Sequence, residues 1–100
     1  MNSWPFDDPP ALGLFITSDL DEARAQLRLV SHDNDGDWAF AGPMGLDVDA
    51  DDLSLVHLEH VVDAYPQVTE LADLPRGWAA RRSGAGERWM RFRDPDSQDT

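Results

Sequence analysis

Cysteine is absent from the 100 residues of this chain, which excludes disulfide cross-links and thiolate catalysis. Lysine is absent too, so all eight cationic side chains are arginines. No window approaches the roughly 20 apolar residues that a membrane-spanning helix needs. The first ten residues lack the positive charge and the apolar block of a secretory signal. We therefore expect a cytoplasmic protein.

Positive charge is scarce as well, and the formal net charge is −12. Nucleic acids and anionic membranes are bound through Lys and Arg, so neither is an expected partner. The charge is also uneven, because six of the eight arginines lie within 76–93 while acids dominate 1–75. Such a dipolar surface can orient a protein partner, although weak pairing between the two regions within one fold explains it as simply.

Turn-forming residues divide the chain into short segments. Apolar and β-branched runs predict strands at 12–17, 27–31, 37–41, 53–56, 78–82 and 88–93. Helical patterns occur at 19–26, 58–64 and 66–72. We predict one α+β domain over 11–93, with an antiparallel sheet of four to five strands and two or three short helices. Residues 1–10 are expected to form a flexible N-terminal arm, and 94–100 a polar tail.

The turn between the strands at 27–31 and 37–41 contains Asp33, Asp35 and Asp37. Asp, Asn and Gly are the residues that hairpin loops require. An EF-hand is excluded, because no register supplies both the glycine at position six and the glutamate at position twelve. A weaker Ca²⁺ or Mg²⁺ site and a purely structural turn both fit this pattern.

Three histidines suggest an alternative chemistry. His57 and His60 have a spacing that places them near one face of a helix, and His32 is the third imidazole. Because a transition-metal site needs further ligands, these residues and the acidic turn define only an alternative function, a small-ligand or divalent-metal-binding accessory domain.

No pattern typical of an enzyme is present. The chain has neither a Gly-x-Ser-x-Gly motif nor a glycine loop that would cradle phosphates. Ser31, His32 and Asp33 are consecutive on a predicted strand, so their side chains alternate between faces and cannot form a catalytic triad. We predict that the protein is not an enzyme and that it needs no cofactor.

Tryptophan is abundant, with four residues. Trp38 and Trp78 are expected in the core, since a small domain needs large side chains there. For Trp89 the core and a surface site are both open. Trp and Arg are enriched at interface hot spots, and several arginines can stack on these rings. They are Arg82, Arg88 and Arg91.

Several segments together resemble a known family. They are Val-Ser-His-Asp at 30–33, Asp-Gly-Asp-Trp-Ala-Phe at 35–40, the leucine-containing stretch 53–63, Pro66, and Asp-Leu-Pro-Arg-Gly-Trp-Ala-Ala-Arg at 73–81. This order is similar to a family of small bacterial proteins of unknown function. Over roughly 12–92, its layout also resembles the immunity-type domains of polymorphic toxin systems. The resemblance implies protein binding without catalysis, with a toxin as one candidate partner.

We therefore predict a non-enzymatic protein-binding module of immunity or regulatory type, present as a monomer or a homodimer. Its acidic turn and an aromatic and arginine patch are predicted to contact the protein partner. The candidate binding residues are Asp33, Asp35, Asp37, Trp89 and Arg91.

Overall fold

Six strands form one mixed sheet in the computed structural model, which describes residues 4–23, 25–84 and 87–93. In chain order the strands are β1 (Gly13–Thr17), β2 (Leu29–His32), β3 (Trp38–Ala41), β4 (Leu53–His57), β5 (Trp78–Arg81) and β6 (Met90–Arg93). Their order across the sheet is β4-β1-β3-β2-β5-β6. The α+β class is thus confirmed. The predicted polar tail, 94–100, lies outside the described residues.

The predicted antiparallel sheet of four to five strands is wrong in two respects. All six predicted strands are present, and β1 pairs with β3 in parallel, whereas every other neighbouring pair is antiparallel. The reason is the position of β3. The β2–β3 hairpin adds to β1 through its second strand, so β3 lies between β1 and β2 and runs in the direction of β1. Hydrophobic patterning predicts the strands but not this order.

The helical elements are short. One α-helix, α1, spans Leu58–Ala64 as predicted. The predicted helical segments at 19–26 and 66–72 are 3-10 helices at Ser18–Ala23 and Pro66–Leu71, and a third 3-10 helix spans Ala50–Asp52. None of the helices among the described residues is long and apolar enough to cross a membrane.

One face of the sheet packs against α1 and the 3-10 helix at 66–71 and forms the core. Fully buried side chains of the central strands meet fully buried side chains of these helices. From the strands these include Val30 and Phe40, and from the helices Leu58, Val68 and Leu71. Trp38 is 3% exposed and Trp78 is partly buried against the same core, as the sequence indicated.

Residues 4–10, which the sequence assigns to the N-terminal arm, contribute to this core. Phe6 is 5% exposed, and its ring meets the ring of Trp38 edge-on at 5.3 Å between centroids. The indole of Trp38 donates a hydrogen bond to the Asp8 carboxylate at 2.7 Å, and the indole of Trp4 donates to the Asp8 carbonyl at 2.6 Å. These contacts attach the segment beside the β2–β3 hairpin.

Two phenylalanines on neighbouring strands allow the contribution of each sheet face to the free energy of unfolding to be compared. Phe40 is fully buried, so we expect Phe40→Ala to lower the free energy of unfolding by about 3–5 kcal/mol. Phe15 is 51% exposed on the other face, so Phe15→Ala should cost less than about 1 kcal/mol. Urea denaturation measures both values. Equal losses would contradict the assignment of the two faces.

Candidate functional site

The acidic turn between β2 and β3 is a tight hairpin loop. The amide of Asp33 donates to the carbonyl of Asp37 at 2.9 Å, which extends the ladder by one pair beyond His32 and Trp38. The amide of Gly36 donates to the Asp33 carbonyl at 3.0 Å, and Gly36 has a φ of 92°. This left-handed position explains why glycine occurs there. The predicted hairpin is therefore confirmed, with its loop at 33–37.

The Asp33 side chain holds this loop together. Its Oδ1 atom accepts hydrogen bonds from the amides of Asp35 at 3.0 Å and Asp37 at 2.9 Å. The three carboxylates approach one another within 4.8 Å, and Asp35 and Asp37 are exposed. The turn thus groups three carboxylates at one end of the sheet, and the guanidinium of Arg76 already lies against Gly36 in the same turn. Basic side chains or a hard cation are the chemically suited contacts for such a group.

The histidines do not join this cluster. The His32 ring stacks on Trp38 at 3.9 Å, and its Nδ1 lies 2.7 Å from the carbonyl of Leu74, so it has a packing role. His57 and His60 instead line a cleft of about 600 Å³ beside β4 and α1. Within the described part of the chain, the three aspartates are the only group of three candidate ligands close enough to share an ion. The metal-binding alternative remains a prediction.

Trp89 lies immediately before β6 and packs partly buried against the core. The guanidinium carbon of Arg82 lies 4.5 Å from the centroid of its ring, so the predicted stacking occurs for this pair. Burial lowers the pKa of Arg82 below the usual arginine value, while the charge of Glu70 opposes this shift. The exposed fraction of Arg82 is 9%.

Arg91 is held against the 3-10 helix at 66–71. Its Nη2 donates to Asp73 Oδ1 at 2.9 Å and to the carbonyl of Glu70 at 3.0 Å. Because Asp73 is largely exposed, this ion pair adds little stability. The sheet register places Trp89 beyond Met90 and Arg81, at the end of the sheet opposite the acidic turn. The structure therefore groups the three aspartates and separates Trp89 and Arg91 from them.

The sheet face opposite α1 carries a surface that the sequence analysis did not identify. One row of paired residues crosses all six strands on this face, and we call the face bearing it the outer face. The row consists of Leu55, Phe15, Ala39, Ser31, Ala79 and Phe92. Leu55 is 68% exposed and Phe15 is 51% exposed. On the adjacent row Met90 is 61% exposed.

Small side chains form the floor of the outer face. Ala39, Ser31 and Ala79 occupy the three middle strands, between the larger Phe15 on one side and Phe92 on the other. Ser31 is 8% exposed and Ala79 is 1% exposed, so neighbouring side chains cover most of this floor, and the exposed apolar area of the row is concentrated at Phe15 and Leu55. Exposed apolar surface arranged in this way is typical of protein-binding surfaces.

The signal for this surface is present in the sequence but is ambiguous there. Phe15 and Leu55 lie within short apolar runs whose neighbours Leu14, Ile16 and Val56 are equally hydrophobic. Alternation alone does not show which residues of such a run face the core. Burial in the folded chain resolves it, since Leu14 and Ile16 are each 3% exposed whereas Phe15 is 51% exposed.

Comparison of the chain with models of protein families, with curated protein sequences and with solved structures found no match in any of the three. We therefore infer the function of the chain from its own geometry.

The role of Asp33 in the turn can be separated from its charge. Asp33→Ala removes the acceptor of two amide hydrogen bonds and should lower the free energy of unfolding by about 1 kcal/mol or more. Asp33→Asn retains an acceptor oxygen and should lose less. Asp35→Asn removes only a repulsive charge and should not destabilise the fold. Urea denaturation of the three variants checks this order, and a loss at Asp35 as large as at Asp33 would contradict it.

Proposed function

We propose that this chain is a non-enzymatic protein-binding module of immunity or regulatory type, and that its outer face binds a basic protein partner. The observation that carries the proposal is the exposed apolar pair Phe15 and Leu55 on a sheet face that ends at a cluster of carboxylates. Apolar contact supplies affinity in such an interface, while complementary charge at the rim supplies orientation and a fast association rate.

The apolar part of the contact centres on Phe15 and Leu55. These two residues are paired directly across β1 and β4, so their side chains form one continuous ridge beside the floor of small residues. A large apolar side chain of the partner that packs against this ridge buries Phe15 and Leu55 together. Anchors of this kind provide most of the binding energy in protein interfaces.

The charged part of the contact is the acidic turn. Asp33 and Asp37 form the pair that follows His32 and Trp38, so alternation places them in line with Ser31 and Ala39 of the outer face. The net charge of −12 adds a long-range attraction for a basic surface. The same charge repels a second copy of the chain, which favours a different protein over a homodimer.

An immunity-type role gives this partner a chemical identity. Toxins that cleave nucleic acids bind phosphates through basic surfaces, so an acidic protein can compete with their substrate. A toxin of this class has a basic surface and must be inhibited tightly, so it matches the proposed binding surface. A neighbouring gene that encodes a basic, toxin-like protein would support the assignment.

Affinity capture with the purified full-length chain tests the proposal. From a lysate of the native host, we expect capture of a basic protein that is identified by mass spectrometry and then purified. The double variant Phe15→Ser and Leu55→Ser should weaken its binding by at least about tenfold, because it removes the apolar ridge. Both side chains are more than half exposed, so circular dichroism should show an unchanged fold.

The outcome that contradicts the proposal is equally specific. Capture of no basic protein at low or moderate salt, or binding that the double variant leaves unchanged, would exclude the outer face as the docking surface. A stable homodimer in light scattering would contradict the argument from charge repulsion.

The contribution of the acidic turn can be measured with matched charge variants. Asp35→Asn with Asp37→Asn should lower the association rate and weaken its salt dependence, since it removes two charges beside the docking surface. Asp49→Asn with Asp51→Asn also removes two charges from exposed positions, but just before β4, whose first residue pairs with Thr17 at the end of the sheet opposite the turn. Surface plasmon resonance at several salt concentrations compares them. Equal effects would show that only net charge matters.

A further inference from the structure

Three buried side-chain nitrogens lack a hydrogen-bond partner among the described residues. They are Arg28 Nε, Arg82 Nη2 and Trp89 Nε1. All three are N–H donors, and buried donors in proteins are nearly always paired. Three unpaired N–H donors therefore indicate that the described residues do not supply the acceptor for which this cluster is suited.

The three donors are neighbours. The Arg82 amide donates to the Arg28 carbonyl at 3.1 Å, which continues the β2–β5 ladder by one pair and places both side chains on the same face. The Arg82 guanidinium stacks on Trp89. Its Nε donates to the carbonyl of Leu27 at 3.0 Å, which fixes the plane of the guanidinium and leaves Nη2 unused.

A cleft of about 520 Å³ adjoins this cluster at the β5–β6 connection, and Arg82 is among the residues that line it. Three arginines and one acid surround the cleft, so its local charge is positive within a strongly acidic chain. The volume is that of a small-molecule site. The lining residues are Arg81, Arg82, Ser83, Glu87, Arg88 and Met90.

We propose that this cluster is a binding site for an oxyanion, a phosphate or carboxylate group carried by a small molecule, with Arg82 at its centre. The planar guanidinium presents paired N–H donors that match the oxygen atoms of either group. Arg88 and Arg81 supply further positive charge from the lining of the cleft. Trp89 does not line the cleft, but its ring stacks on Arg82, so its indole resonance reports on that guanidinium.

The electrostatics of Arg82 agree with this assignment. Arginine stays charged in proteins, so the 9% exposed guanidinium is a buried cation. Its pKa is lowered by burial, and the Glu70 carboxylate only partly opposes the effect. A bound oxyanion would compensate the charge that the protein leaves uncompensated.

Titration of the ¹⁵N-labelled full-length chain with sodium phosphate, at constant ionic strength, tests the site directly. We expect a saturable shift of the Trp89 indole resonance, which Trp89→Phe assigns. The indoles of Trp4 and Trp38 already donate to Asp8 and should not move. A parallel titration with citrate distinguishes a carboxylate ligand from a phosphate ligand.

Variants at exposed positions give the matched control. Arg88→Ala should weaken phosphate binding by about tenfold, whereas Arg93→Ala removes the same charge at the other end of β6 and should leave it unchanged. Two results would overturn the proposal. One is a Trp89 resonance that responds to neither anion beyond the effect of chloride, and the other is an equal loss in both variants. The probes are inorganic phosphate and citrate, so a negative result would count against the oxyanion site alone. It would not bear on the proposed binding of a protein partner.

Discussion

The central strand β3 imposes the constraint on which the rest of the structure depends. Its sequence, Trp-Ala-Phe-Ala, places two large aromatic side chains on one face and two small ones on the other. Trp38 and Phe40 stack with their ring centroids 6.2 Å apart, and both are buried in the core between the sheet and the helices. On the other face Ala39 and Ala41 are small, and the exposed apolar side chains come from flanking strands, such as Phe15 on β1. One strand thus contributes both to the core and to the small-residue middle of the outer face.

Local patterns predicted the elements of this fold well. The hairpin at 27–41 depends on neighbouring residues only: a turn with Gly36 at a positive φ and apolar runs on both sides. Helix α1 likewise begins and ends as its apolar spacing indicates. The parallel pairing of β1 with β3 was not predicted. It depends on which strand of the β2–β3 hairpin lies next to β1, and no local sequence pattern encodes this choice.

The candidate site was likewise predictable only where it depends on residues that are close together in the sequence. The acidic turn was predictable, because its three carboxylates are neighbours in one loop. The outer face was not, because Leu55 and Phe92 come from opposite edges of the sheet and share a row only through the strand order. The choice of Arg91 as a contact residue, in a patch with Trp89, relied on chemistry alone. The register places Arg91 on the helix-bearing side, where Asp73 and the Glu70 carbonyl hold it.

Strand β2 connects two regions of opposite charge. Asp33 follows its last residue and Arg28 precedes its first, five residue steps apart, which corresponds to about 16 Å along an extended strand. The Debye length at physiological salt is about 8 Å, so solvent-exposed charges at the two ends are largely screened from each other. A chain with a net charge of −12 can therefore present a locally positive cleft at one end of its sheet and a group of carboxylates, the proposed contact for a basic partner, at the other end. Since the register fixes this separation, neither region has to move for both to be occupied at once.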